Sequence, residues 1–233
     1  MNDRVDIADR LAQVRARIAA ACQQFGRDPQ TVNLLAVSKT KPIDQVIAAA
    51  GLGQAHFGEN YLQEAVAKIA AAPPGLTWHY IGAIQSNKTR PIAESFDWVH
   101  TVSSEKVAHR LAQQRPAHLP PLRVLIQVNI SGEASKAGVA PSGLMPLLGK
   151  IVDLPNLEIR GLMTIPGPEQ DFERQCASFR QLAELKQEMT SHFGQALPHF
   201  KDLSMGMTGD LEAAVREGAT WLRIGTAIFG QRN

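Results

Sequence analysis

The chain of 233 residues is 44% hydrophobic and 20% charged, and 24 basic against 22 acidic residues leave a net charge of +2. That is an ordinary globular balance, and so small a charge gives no argument for nucleic acid or a membrane surface as a partner. Two cysteines, Cys22 and Cys176, lie in helix-like patterns without CxxC or zinc spacing and read as buried thiols rather than a disulfide or a metal site.

Asn2-Asp3-Arg4 opens an amphipathic rather than an apolar run, so no signal peptide is expected. No apolar run approaches the roughly 18 residues that span a bilayer, and the chain reads as cytoplasmic. Ile7, Leu11, Val14, Ile18, Cys22 and Phe25 recur every three or four residues, which predicts a helix stopping at Gly26, ahead of the first strand. Leu34-Leu35-Ala36-Val37-Ser38, closed off by Pro42, reads as a strand buried on both faces, with Lys39 at its end. A helix carrying Val46, Ile47 and Ala50 follows. Ala55 to Tyr61 is a short strand and a glycine turn leading into a helix with Leu62, Ala65, Val66 and Ile69, stopped by Pro73-Pro74-Gly75. Gly51, Gly53 and Gly58 do not make a GxGxxG fingerprint, which discards a dinucleotide fold.

Thr77 to Gly82 is the third strand, Phe96 to Val102 the fourth, and Leu122 to Asn129 the fifth and clearest. Ser131 to Gly138 reads as a small, polar, mobile loop in which Lys136 is taken to be solvated. A helix around Leu144 to Ile151 leads to strand six, Leu157 to Ile165. Phe172, Cys176, Phe179, Leu182, Leu185 and Met189 stripe a long helix before strand seven, Phe200 to Met205. A helix over Asp210 to Glu217, strand eight from Trp221 to Ile224, and a short helical piece after Gly225 complete the chain. Asp97, Asp153 and Asp202 flank strands or turns and are expected to cap them. His56 and His79 are expected as satisfied core or rim histidines, and His100, His109 and His118 make no metal spacing. Eight strands alternating with helices, without a composition break, predict an α/β fold: one (β/α)8 barrel over residues 1–233, with an extra N-terminal helix.

The functional face of such a barrel is the C-terminal end of its strands, where the seventh and eighth loops commonly hold phosphate. Ser204-Met205-Gly206-Met207-Thr208-Gly209-Asp210 and Arg223-Ile224-Gly225-Thr226-Ala227 occupy those places. Glycines let backbone N–H groups approach phosphate oxygens, and the hydroxyls of Ser204 and Thr226 can donate. A lysine at the rim is open to desolvation, which favours the neutral amine that attacks a carbonyl. An amine at Lys39, a phosphate cradle and Arg223 between them are what pyridoxal 5′-phosphate requires. Arg223 as partner of the pyridine nitrogen only donates, which makes the ring a weaker electron sink than a carboxylate partner does.

LLAVSKTKP, HFGENYLQE, WHYIGAIQSNK, GLMTI, LSMGMTGDLEAAVREG and RIGTAIFG together resemble, in order and over nearly the whole chain, the YggS/PROSC pyridoxal-phosphate homeostasis family. That family shares its barrel with the N-terminal domain of alanine racemase. The resemblance implies Lys39 as the lysine of the internal aldimine and Arg223 at the pyridine nitrogen. It puts Ser204, Gly206, Gly225 and Thr226 around the phosphate, and Asn60, His79 and Met163 near the ring. The chain departs from the family pattern at Ala83-Ile84 and at Thr208, both conservatively.

Racemases and decarboxylases on this barrel carry a second, β-rich domain, whereas this chain stops at Asn233, and its Tyr61 and Tyr80 both precede strand four. Neither is an obvious second acid/base. The leading expectation is therefore a monomeric protein of intracellular pyridoxal 5′-phosphate homeostasis. It would buffer the cofactor or deliver it to apoenzymes, without turnover. The alternatives are a small single-domain racemase or lyase, and a sugar-phosphate barrel enzyme with Lys39 as its Schiff-base lysine.

Overall fold

Eight short parallel strands close on themselves in chain order: β1 (Asn33–Val37), β2 (His56–Glu59), β3 (Thr77–Tyr80), β4 (Trp98–Val102), β5 (Leu122–Gln127), β6 (Leu157–Met163), β7 (Asp202–Ser204) and β8 (Trp221–Ile224). The ring is sealed where Asn33 to Ala36 of β1 pair in register with Trp221 to Ile224 of β8. The structure is a computed structural model that describes residues 2–133 and 136–231. Ala134 and Ser135, in the loop expected to be mobile, lie outside the described residues.

The helices are α1 (Asn2–Gln24), α2 (Ile43–Ala50), α3 (Leu62–Ala71), α4 (Thr89–Ser95), α5 (Glu105–Gln114), α6 (Pro141–Ile151), α7 (Phe172–Phe193), α8 (Leu211–Arg216) and α9 (Thr226–Phe229). Strands feeding helices that pack back on the sheet is the right-handed βα repeat. One helix fills a gap in it. After β8 only the four-residue α9 follows, and α1 packs against α2, α8 and α9, covering the side where a full eighth helix would lie. Its stripe of Ile7, Leu11, Val14, Ile18 and Cys22 is buried there, as the spacing predicts.

The core has two parts. A sheath between strands and helices contains most of the buried residues. Leu35, Trp98, Leu125, Met163 and Trp221 form a separate cluster, contributed by five strands, that fills the barrel interior. Side chains alternate along a strand, so this inward face continues two residues further on: Trp98 is followed by His100, Trp221 by Arg223, and Leu35 by Val37.

Several predicted strands run too long. β5 stops at Gln127 and β6 at Met163, because Val128 leaves the ladder for an isolated bridge with Val139, and Ile165 is out on the surface. The apolar pattern simply continues into loops. Asp202 is not a cap: it lies inside β7, buried, paired with Arg160 at 2.8 Å and accepting from Trp221 Nε1. Both cysteines are buried free thiols.

Candidate functional site

At the C-terminal ends of the strands lies a cavity of about 610 Å³, and Lys39, Asn60, Arg223, Gly225 and Thr226 all line it. Each arrives from a different local cause. Lys39 stands in the turn that follows β1, where Thr40 takes the left-handed conformation at φ 65°. That turn is pinned from several sides. Ser38 Oγ donates to Glu59 Oε1 over 2.6 Å, Lys68 Nζ donates to the Ser38 carbonyl over 2.7 Å, and the Thr40 amide donates to Glu64 Oε1 over 2.7 Å. Lys68 also pairs with Glu59 at 2.8 Å. Burial raises the Glu59 carboxyl above its usual range, against the lowering by Lys68 and Ser38.

Arg223 is 5% exposed, yet its guanidinium reaches the cavity. Nη1 donates to Ser204 Oγ over 2.8 Å and Nη2 to the Thr164 carbonyl over 2.9 Å. Burial pulls it down to about 10, opposed by the charge of Asp210, so it remains a cation at neutral pH. Gly225 leads into α9, whose first amides have no intrahelical acceptor. A Cβ at Gly225 would stand 3.0 Å from the Val37 carbonyl, so the close passage of β8 past β1 leaves little room for a side chain there.

The other four predicted residues lie one layer away and do not line the cavity. Ser204 is fully buried beneath Arg223. Gly206 contributes backbone: its carbonyl accepts from the Arg223 amide over 3.0 Å, its φ is 91°, and a Cβ there would collide with Ala214 of α8. His79 is fully buried, hydrogen-bonded to His56 and His100 as expected of a satisfied core histidine. Met163 belongs to the interior cluster.

The sequence reading missed Thr101 and Gln127 in the lining, and Glu59 and Lys68 under the Lys39 turn. Both lining residues sit at the ends of strands, β4 and β5, and strand ends are the signal that marks them. Ala83 and Thr208, where the chain departs from the family pattern, also line the cavity. Lys136 is paired with Glu133 at 2.7 Å beside a second cavity of about 590 Å³, which shares Ile165, Met207 and Gly209 with the first.

Chemically the cavity offers one amine, one guanidinium, amide and hydroxyl groups, and apolar walls. No Asp, Glu, His, Cys or Tyr is among the described residues lining it, and among the described residues no cluster of three His, Cys, Asp or Glu is placed to hold a metal. The donor set fits a small anionic carbonyl compound.

The chain matches the family described as the N-terminal domain of alanine racemase over residues 10–233. A Pseudomonas aeruginosa protein named pyridoxal phosphate homeostasis protein is 56% identical over 228 residues, 97% of this chain and 96% of its own length. An Escherichia coli protein of the same name is 50% identical over 232 residues, covering 98% and 97%. Among solved structures, PipY of Synechococcus elongatus with pyridoxal 5′-phosphate bound is similar at a TM-score of 0.83 and 38% identity, over 96% of this chain and all of that one. Alanine racemase of Corynebacterium glutamicum, at 17% identity and a TM-score of 0.68 over 61% of its length, shares the fold.

Proposed function

Since the chain belongs to the family of alanine racemase N-terminal domains, alongside the pyridoxal phosphate homeostasis proteins, we propose that it holds pyridoxal 5′-phosphate reversibly in this cavity and keeps the free cofactor low in the cell. When bound, pyridoxal 5′-phosphate supplies an aldehyde that condenses reversibly with an amine. Lys39 provides that amine. Gly225, the Thr226 hydroxyl and the first amides of α9 receive the phosphate, with the Gly206 backbone supporting the loop. Arg223 donates to the pyridine nitrogen and leaves it unprotonated. Asn60 borders the ring. Ser204, His79 and Met163 act from the layer beneath, fixing Arg223 and the floor.

The observation that carries holding over turnover is the lining itself. Besides Lys39 and Arg223, no described residue of the cavity wall titrates, so no second acid/base faces a substrate Cα. Tyr80 is buried, donating to the Ala83 carbonyl over 3.1 Å, and burial raises its phenol. Tyr61 is an exposed residue at the start of α3. The whole barrel acts as one binding unit and as a monomer, with the cofactor handed on to apoenzymes.

The test is the absorption spectrum of protein mixed with pyridoxal 5′-phosphate, before and after borohydride, beside Lys39→Ala. A visible band fixed by reduction in the wild type and lost in the variant is the expected result. Exchange of Cα hydrogen for deuterium, measured with a panel of amino acids, is expected to stay at the level of free cofactor. Enzyme-rate exchange would replace holding with racemase or lyase chemistry. A protein that acquires no band would remove the cofactor altogether.

A further inference from the structure

Beneath Arg223 three histidines, which do not line the cavity, form an unbroken hydrogen-bonded series. His56 Nδ1 lies 3.1 Å from His79 Nε2, His79 Nδ1 lies 2.9 Å from His100 Nε2, and His100 Nδ1 lies 2.9 Å from Ser204 Oγ. Arg223 Nη1 joins the same Ser204 oxygen over 2.8 Å. His79 and His100 are fully buried, while His56, at the start of β2, is partly exposed. Tryptophans hold the rings in place. Trp98 stacks on His79 with centroids 5.4 Å apart, and Trp221 meets His56 at 4.9 Å and His79 at 4.8 Å.

Counting donors gives the series a direction. A guanidinium has no acceptor, so Ser204 Oγ accepts from Arg223. The serine hydroxyl has one hydrogen of its own, and His100 Nδ1 is the acceptor in reach. His100 is then protonated on Nε2 and donates to His79 Nδ1, and His79 Nε2 in turn donates to His56 Nδ1. The opposite direction would aim both Arg223 and His100 at Ser204 Oγ. The buried hydroxyl hydrogen would be left without an acceptor among the described groups, which is the costly case. Burial also pushes His79 and His100 well below the usual imidazole range, in keeping with neutral rings.

We propose that His100 and His79 are positioning residues for Arg223: with His56 they form a one-way series of Nε2–H imidazoles that draws the Ser204 hydroxyl hydrogen inward and presents its oxygen to the guanidinium, aiming Arg223 at the pyridine nitrogen of bound pyridoxal 5′-phosphate. This rests on the reading of the cavity as a site for that cofactor. Three imidazoles, a serine and an arginine thereby link the N-terminal side of the barrel to the cavity at the other.

Two measurements test it. Nitrogen-15 NMR of histidine-labelled protein without cofactor reads the tautomers directly. His79 and His100 are expected to be neutral and Nε2-protonated at neutral pH, and a charged or Nδ1-protonated His100 overturns the proposal. Pyridoxal 5′-phosphate is then titrated into the wild type, His100→Asn and His100→Leu, reading affinity and the position of the visible band. Asparagine places an amide oxygen where Nδ1 stood and keeps the acceptor; leucine removes it. His100→Asn is expected to bind like the wild type, and His100→Leu about tenfold more weakly with a displaced band. A wild-type-like His100→Leu, or a His100→Asn as weak as it, overturns the positioning role. If His100→Leu fails to fold, the tautomers decide. A wild type that binds no cofactor removes the cavity reading and the aim of Arg223 together, whereas the tautomer spectrum still judges the series by itself.

Discussion

The turn that presents Lys39 is held by a charge pair that water scarcely reaches. Lys68 has 7% of its side chain exposed and Glu59 none, and Glu59 Oε2 is buried without a hydrogen-bond partner among the described residues. Such a pair contributes little net stability over a well-packed apolar substitute, because desolvating both ions costs about what their attraction returns. Breaking it is another matter. Lys68→Met leaves the Glu59 carboxylate with the Ser38 hydroxyl as its remaining partner and is expected to cost about 3 kcal/mol. Urea unfolding at pH 7 measures this, and the double variant Lys68→Met, Glu59→Gln should recover part of the loss. A single variant that unfolds at the wild-type midpoint would show that the pair is dispensable. The same substitution loosens the Lys39 turn, since Lys68 Nζ also donates to the Ser38 carbonyl.

Among the elements, α1 has the most unusual task, closing the barrel where α9 is too short. Leu11 is 1% exposed in that contact, and Leu11→Ala is expected to cost about 2–5 kcal/mol through lost burial and a residual cavity. Arg17 makes a two-bond pair with Glu212 of α8, at 2.5 and 2.6 Å. More than a third of each side chain is exposed, so Arg17→Ala should cost less than about 1 kcal/mol. Thermal or urea unfolding of the two variants ranks them, and the reverse order would mean that charge rather than packing docks the helix. The α1 stripe was legible in the sequence because helical burial repeats along the chain, and the eight strands were legible as apolar runs. Strand ends were not, since Val128 and Ile165 continue the apolar pattern after the ladder has stopped. The cavity residues after β1 and β8 were legible as well, because a barrel places its chemistry at strand ends. The contacts between Ser204, His100, His79 and His56 were not legible. They depend on four strands presenting inward residues at successive heights, His79 two residues beyond the register partner of His56 and His100 two beyond that of His79, which the tilt and stagger of a closed sheet set and no linear spacing encodes. Lys68 under the Lys39 turn escaped for a related reason: a charged helix residue reads as solvated until the strand end it covers is known.

At the scale of the molecule, the interior of this barrel mixes two kinds of side chain. Leu35, Leu125, Met163 and the two tryptophans are apolar and aromatic, and among them stand the polar His79, His100, Ser204 and Arg223. A barrel interior is commonly filled by branched apolar layers, and the substitution has a thermodynamic consequence. His79 and His100 are neutral in the fold, their rings pushed well below the ordinary value, first by burial and then by neighbouring charge. In the unfolded chain they titrate near about 6.5. Below that value the unfolded state binds more protons than the folded one, so stability rises with pH there and is full above it. As pH falls from about 6.5 towards the depressed folded values, each histidine should remove about 1 kcal/mol per pH unit. Arg223, at about 10, remains a cation throughout this window. Glu59 acts with the opposite sign: its raised carboxyl favours the fold when protonated, and that contribution is lost as pH rises through its folded value. The two effects have opposite signs, so the wild-type curve alone does not assign either of them. His100→Asn does, since Glu59 is common to both proteins and cancels in the difference. Urea unfolding of the pair between pH 8 and pH 5 should give a stability difference that is flat above about 6.5 and then shifts in favour of the variant by about 1 kcal/mol per pH unit as acid is added. A difference that stays flat to pH 5 would mean that His100 takes up a proton inside the barrel as readily as outside it, and the neutral series beneath Arg223 would be untenable.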